Sequence, residues 1–452
     1  MKVKLIFLFF IAVFFVHAQD IEPSRLATLK YGTENEIAAL IQSLKNENAD
    51  YLDNELITLI DNTRNQKIMN GVFSFFGGRE KAGLEDRAIR AVEERDEEAT
   101  ETVLSAMDYL GKLKSAKAVP SLMELLNSQE KKFMNNAFRA LGRASSSDSQ
   151  LADETAEYLV DYFSNRDPGD DNRREVITSL GATGSAKGVP LLIDIVSNTD
   201  ERVPLRIAAL DAISKLGSQS GQDGLDAVLA CVSTNDPNVR SAAVAALGPF
   251  SGEEVDKVIL DAFRDSYYRT RAAAAQASRE RKLVAAVPYL KFRAERDEVP
   301  NIRDDSIRAL GAIANDEAIG ILENLFSDRK NSDRVRLASG EMLMKNAAVN
   351  ANYLSRVIVE LDEAKRKNQT ALYNGFLKII GETRLESGAQ DLENVARRLL
   401  AGGVIEKLYG LDIAANNGLK GLETEVKAQM NEKNESIARK ARQTAEKLGI
   451  EI

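Results

Sequence analysis

The chain has 452 residues, 44% of them hydrophobic and 29% charged, with a formal charge of −9, a balance that supplies a core and excludes wholesale disorder. One cysteine and one histidine exclude a disulfide within the chain. Because the histidine, His17, lies in a segment expected to be removed, histidine-held zinc or haem, Ser-His-Asp and Cys-His catalysis are excluded too. Tryptophan is absent and prolines number only 9. With many Ala, Leu, Glu, Lys and Arg residues, this composition is that of helices rather than sheets.

Residues 1–18 read as a secretory signal peptide. Lys2 and Lys4 precede an apolar run over 5–16, and Val16-His17-Ala18 offers a cleavage site before Gln19 and Asp20. The run falls short of the ~20 apolar residues that span a bilayer, so cleavage is expected rather than anchoring. No cysteine follows that would carry a lipid, and no second segment is long and apolar enough to cross a membrane. Removal takes away two lysines and no acids, leaving a formal charge of −11. The expected address is export from a bacterial cell, to the periplasm or otherwise secreted.

Residues 19–83 form an N-terminal capping segment. Helical patterning over 21–70 is followed by a stretch with Gly71, Gly77, Gly78 and Gly83 around Phe73, Phe75 and Phe76. The density of glycine predicts an irregular loop over 71–83. Its rings either cap the first repeat pair or form an exposed docking surface.

From residue 84 one pattern recurs. The residue after each Ala-Leu or its equivalent is Gly111, Gly142, Gly181, Ser214, Gly248, Arg279, Gly311, Met344 and Gly381, at spacings of 31 to 39 residues. A fixed period of this size marks a solenoid. Each period predicts two helices. The first opens near a proline (Pro120, Pro190, Pro288), which costs no intrahelical bond in a first turn. The second follows an acidic turn, opens at an arginine and ends at Leu-Gly, where glycine is expected as the C-cap. Its alanines let neighbouring helices approach closely. The fold class is therefore all-α, an α-solenoid of stacked antiparallel helix pairs, with repeats over 84–345 and divergent repeats with a charged capping helix over 346–452. No single pair buries its own apolar face; stacking does.

These residues resemble the HEAT repeats, in the variety known as phycobilisome-lyase-type HEAT-like repeats, which implies a right-handed superhelix. The resemblance also implies a structural ladder between an arginine opening the second helix and an aspartate of the turn. The matching arginines are Arg173, Arg206, Arg240, Arg271, Arg303 and Arg336. The matching acids are Asp167, Asp200, Asp236, Asp265, Asp297 and Asp333. A ladder repeated in every unit is a scaffold device rather than a binding site. HEAT-like enzymes exist, but a hydroxylase with His ligands is impossible here, and neither a lyase nor a glycosylase reading has support in these residues.

Local features follow. Serines over 145–151 and Asp167-Pro168-Gly169-Asp170-Asp171 lengthen two connections, and the latter lacks the closing Glu of a calcium loop. Cys231 sits in an apolar helical stretch and reads as a buried thiol. Between 264 and 296 nine basic residues face three acids, a reversal of charge in an acidic chain. Arg264, Tyr267, Tyr268, Arg269, Arg279, Arg281, Lys282 and Arg293 are the candidate partner-binding residues there, because Arg and Tyr are enriched at interface hot spots. The alternative is that they are solvated helix ends. No phosphate loop or metal set is found, so neither a cofactor nor a metal is expected, nor is nucleic acid. The resulting expectation is a non-catalytic scaffold or adaptor of the cell envelope that binds a protein on its concave surface. The alternative is a binder of an anionic wall polymer or lipid headgroup through the 264–296 patch.

Overall fold

The computed structural model describes residues 23–166, 169–385 and 389–451. The expected signal peptide and Asp167 lie outside the described residues. Among these residues every regular element is helical. The chain divides between Leu191 and Leu192 into two compact units. No helix is long and apolar enough to cross a membrane, and no cluster of acids or Cys suits a metal, among the described residues.

Each unit repeats the same device. A first helix such as Val119–Asn127 or Val287–Arg296 follows a single 3₁₀ turn (Ala116–Ala118, Val284–Ala286) and carries Pro120 or Pro288 in its first turn. A second helix then returns antiparallel against it. In the first unit Gln66–Gly78, Thr100–Lys112, Lys131–Ala144 and Asp170–Thr183 stack in series. In the second, Val203–Leu216, Pro237–Ala246, Tyr268–Arg281, Pro300–Ile313 and Asp333–Lys345 do the same. This is the all-α solenoid that the period predicts.

The recurring glycine has a different task from the one expected. None of Gly111, Gly142, Gly181, Gly248, Gly311 and Gly381 has a positive φ. All but Gly248, which lies just past Pro237–Ala246, are inside their helices. The left-handed turn comes three residues later, at Lys114, Gly184, Gly217, Lys282 and Ala314. The marker glycine instead sits where the next second helix comes closest. A Cβ on Gly142 would lie 2.6 Å from the Ser179 carbonyl oxygen and 2.9 Å from its Cα. On Gly111 it would lie 3.1 Å from the Cα of Ala140. Buried alanines such as Ala243, Ala246, Ala274, Ala275 and Ala277 widen the same close contact.

The Gly/Phe-rich stretch also departs from expectation. Residues 71–78 are the latter half of the helix Gln66–Gly78 rather than a loop. Ile68, Met69, Val72, Phe73 and Phe76 recur at helical spacing, and all are buried, with Phe73 and Phe76 at 0% exposure. Phe75 is buried as well, under the Arg79 guanidinium 3.8 Å above its ring. The glycines fit close neighbours, Gly71 against Ile41 and Gly77 against Tyr109, so packing overrides their poor helix propensity.

Candidate functional site

In the second unit the helices Val203–Leu216, Pro237–Ala246, Tyr268–Arg281 and Pro300–Ile313 line a concavity of about 580 Å³. Each contributes the side chains that its buried face leaves over. Val239, Ala243 and Ala246 point into the core, so Asn238, Ser241, Ala242 and Ala245 line the groove. On the next helix Ala274, Ala275 and Ala277 are buried, while Arg269, Ala272, Ala273, Gln276 and Arg279 line the groove. Val203, Pro204 and Ile207 form the apolar wall, and Asp305 stands on the opposite one.

The polar groups of the groove are only partly engaged by the protein. The Asn238 amide oxygen accepts a 2.8 Å hydrogen bond from the Tyr267 hydroxyl. Arg269 donates through Nε to the Tyr268 hydroxyl at 3.1 Å. Tyr268 is 41% exposed, a large apolar surface left in solvent. Asp305 accepts from Arg308 at 2.8 Å.

The eight candidate residues of 264–296 do not form one surface. Arg269 and Arg279 line the groove, and Tyr267 and Tyr268 are hydrogen-bonded to its lining residues Asn238 and Arg269. Arg264 turns to the first helices, pairing with Asp261 at 3.0 Å and donating to the Tyr289 hydroxyl. Arg281 pairs with Asp256 on the helix Glu253–Ala262. Arg293 donates to the Phe263 carbonyl and, at 3.4 Å, to Asp297. Lys282 is exposed and closes its helix in the left-handed conformation. A 3.6-residue turn sends consecutive basic residues to different faces, so density of charge along the chain did not translate into a patch.

Two ladder rungs are formed in this unit. Arg240 holds Asp265 with two hydrogen bonds of 2.6 and 3.2 Å. Arg271 holds Asp297 with bonds of 2.8 and 3.0 Å and donates to the Asp265 and Ser266 carbonyls. Each aspartate also caps the next turn, accepting from the Tyr267 or Val299 N–H. Burial pushes both carboxyls up. The arginine hydrogen bonds, the capping N–H and the neighbouring guanidinium charges outweigh it and hold both below the ordinary carboxylate value.

Other expected rungs take other partners. Arg206 and Arg336 donate to the carbonyls of Val196 and Phe326, and Arg336 also pairs with Glu360 at 2.6 Å. Arg303 donates to the Asp297 carbonyl. Asp236 caps its own helix through the N–H groups of Asn238 and Val239. Asp200 and Asp333 are exposed. In the first unit Arg173 lies 4.3 Å above the Phe163 ring. Cys231 is buried, and burial pushes its thiol pKa up.

The groove lining that reading the sequence missed includes four alanines, Ala242, Ala245, Ala272 and Ala273. Its signal was present in the spacing: Ala242 and Ala245, and Ala272, Ala273 and Gln276, recur at helical period beside the core set.

A family model described as spirochaete HEAT repeat protein matches residues 29–444. No curated protein matches. Among solved structures, the Kap95:Nup1 complex is similar with a TM-score of 0.50 and 13% identity over 94% of this chain and 66% of that one. Kap121p is similar with a TM-score of 0.46 and 12% identity, over 94% and 51%. The karyopherin Kap121p bound to the extreme C-terminus of the protein phosphatase Cdc14p gives 0.45 and 12%, over 94% and 53%. The chain spans about half the length of the Kap121p structures, and at these identities the likeness concerns the fold alone. With a family model covering most of its length, the chain belongs to the spirochaete HEAT repeat protein family.

Proposed function

We propose that the chain is a non-catalytic scaffold that binds a partner protein in the groove of its second unit. The observation that carries this reading is the groove itself: about 580 Å³, lined by the second helices of four successive repeats, with exposed Tyr268 hydrogen-bonded to the lining Arg269. Stacked repeats offer such a surface because each adds one helix face to a continuous wall. Pockets of this size with an apolar lining and a few placed polar groups are what binding sites look like. The similar Kap95 is itself solved in complex with Nup1. In this reading the chain works in the cell envelope, carried there by the leader pattern of residues 1–18.

A photocrosslinker placed at Gln276 in the groove, and another at exposed Lys291 on a first helix, tests the reading in living cells. Protein adducts at the first position only, lost on Ala272→Trp with helicity unchanged, are expected. Equal adducts at both positions would refute it. N-terminal sequencing of the envelope fraction checks the address, with Gln19 expected as the first residue.

A further inference from the structure

Within the groove stand two cations that the protein's own acids leave alone. Arg269 and Arg279 are both exposed and line it ten residues apart on one helix. Arg269 bonds only to a tyrosine hydroxyl, and Arg279 has no acid partner among the described residues. Other exposed arginines of the same unit are held by acids: Arg308 by Asp305 at 2.8 Å, Arg334 by Asp304 at 2.6 Å, Arg397 by Glu425 at 2.6 Å. The groove's one lining acid, Asp305, is already engaged by Arg308. Glu280, beside Arg279, accepts from Gln276 at 2.9 Å. The hydrogen bond from a neutral amide leaves the charge of Glu280 in place, so two cations outnumber one uncompensated acid, and the net charge at the groove is positive and attracts an anion.

Spacing narrows the occupant. Ten residues of helix set the two arginines about 15 Å apart along the axis. An extended chain covers the distance in about five residues. Residues four apart on a strand also point to the same side. The short side chains of Ala242, Ala245 and Ala272 let a main chain lie close, and Ser241 and Gln276 offer it hydrogen-bonding groups.

We infer that the groove takes an extended acidic segment of the partner protein, with carboxylates at positions i and i+4 meeting Arg269 and Arg279. This rests on the protein-binding reading above and adds the chemistry of the partner.

The test uses the full chain after removal of its leader. The probe is a fluorescein-labelled peptide with the core Glu-Thr-Val-Thr-Glu, beside Gln-Thr-Val-Thr-Gln and a version with the two glutamates adjacent. Fluorescence anisotropy reads binding at ~20 and ~300 mM salt. Binding of the first peptide alone is expected. Arg269→Glu and Arg279→Glu should each weaken it by about tenfold or more, Arg264→Glu should leave it unchanged, and all three variants should keep wild-type circular dichroism.

Equal binding of the glutamine peptide, or undiminished binding by Arg279→Glu, would overturn the inference. So would binding of polyphosphate or anionic vesicles through both arginines without binding of the peptide. If any of these occurs while the Gln276 crosslink to a protein persists, the acidic segment fails and the protein-binding reading stands. If the crosslink is absent as well, both fail.

Discussion

Replacing Arg271 with alanine tests the structural ladder at its most enclosed rung. The guanidinium and the Asp297 carboxylate are 5% and 0% exposed at the side chain. They share two hydrogen bonds, and Arg271 also serves two backbone carbonyls. Truncation leaves Asp297 buried with only the Val299 N–H and the more distant Arg293, at 3.4 Å. Removing one partner of a buried ion pair costs about 3–5 kcal/mol. That is a factor of roughly 10²–10⁴ in the local opening constant.

The loss should be local, because repeats interact mainly with their neighbours. Hydrogen exchange across 264–313 is the direct assay, supported by urea unfolding followed by circular dichroism. Arg264→Ala is the control: its pair with Asp261 is more than half exposed, and its removal should change stability by no more than ~0.5 kcal/mol. The pH dependence has a defined sign. Because the folded Asp297 carboxyl lies below its unfolded value, near 3.9, its contribution is full above that pH. It is lost as the pH falls through the folded value. Arg271→Ala should flatten that acid-side decline. A cost under about 1 kcal/mol, or an acid-side decline unchanged in the variant, would refute the assignment of this pair as a stabilising rung.

Gly142→Ala should destabilise the first unit by about 1–3 kcal/mol, since the new Cβ meets the backbone of Ser179. Gly320→Ala, at a helix position with nothing within 4 Å, should instead stabilise by roughly 0.5–1 kcal/mol; urea midpoints of the two variants decide. Phe73→Ala should cost about 3–5 kcal/mol, read as faster hydrogen exchange over 66–112, because the ring is fully buried against Tyr109. Cys231, buried with its thiol pKa raised, should react with a thiol reagent only as fast as its repeat opens, and rapid labelling of the native protein would contradict its burial.

The repeat was legible because a solenoid writes its tertiary contacts into a local period: each helix pair meets nearly the same neighbours as the last. Pro120 and Pro288 marked helix starts correctly, since a first-turn proline is a local effect. The marker glycines were visible but their reason was not. Glycine serves both a left-handed cap and a close helix contact, and only the neighbour at Ser179 or Ala140 distinguishes them. The stretch around Phe73 was misjudged for the same cause, with Gly71 and Gly77 chosen for what lies across from them.

For the candidate site, the kind of residue was legible and the surface was not. Arg269, Arg281 and Arg293 look alike in one dimension. In three, one faces the groove and the others are spent on Asp256 and on Asp297.

The sequence by itself determined that the chain is helical and repeated, because composition and period act locally and need no partner across the fold. Only the tertiary structure decided which arginines remain unpaired and which alanines floor a groove rather than fill a core. Those outcomes depend on residues some 25 or more positions away, as Arg271 depends on Asp297, and on the angle at which one helix lies against the next.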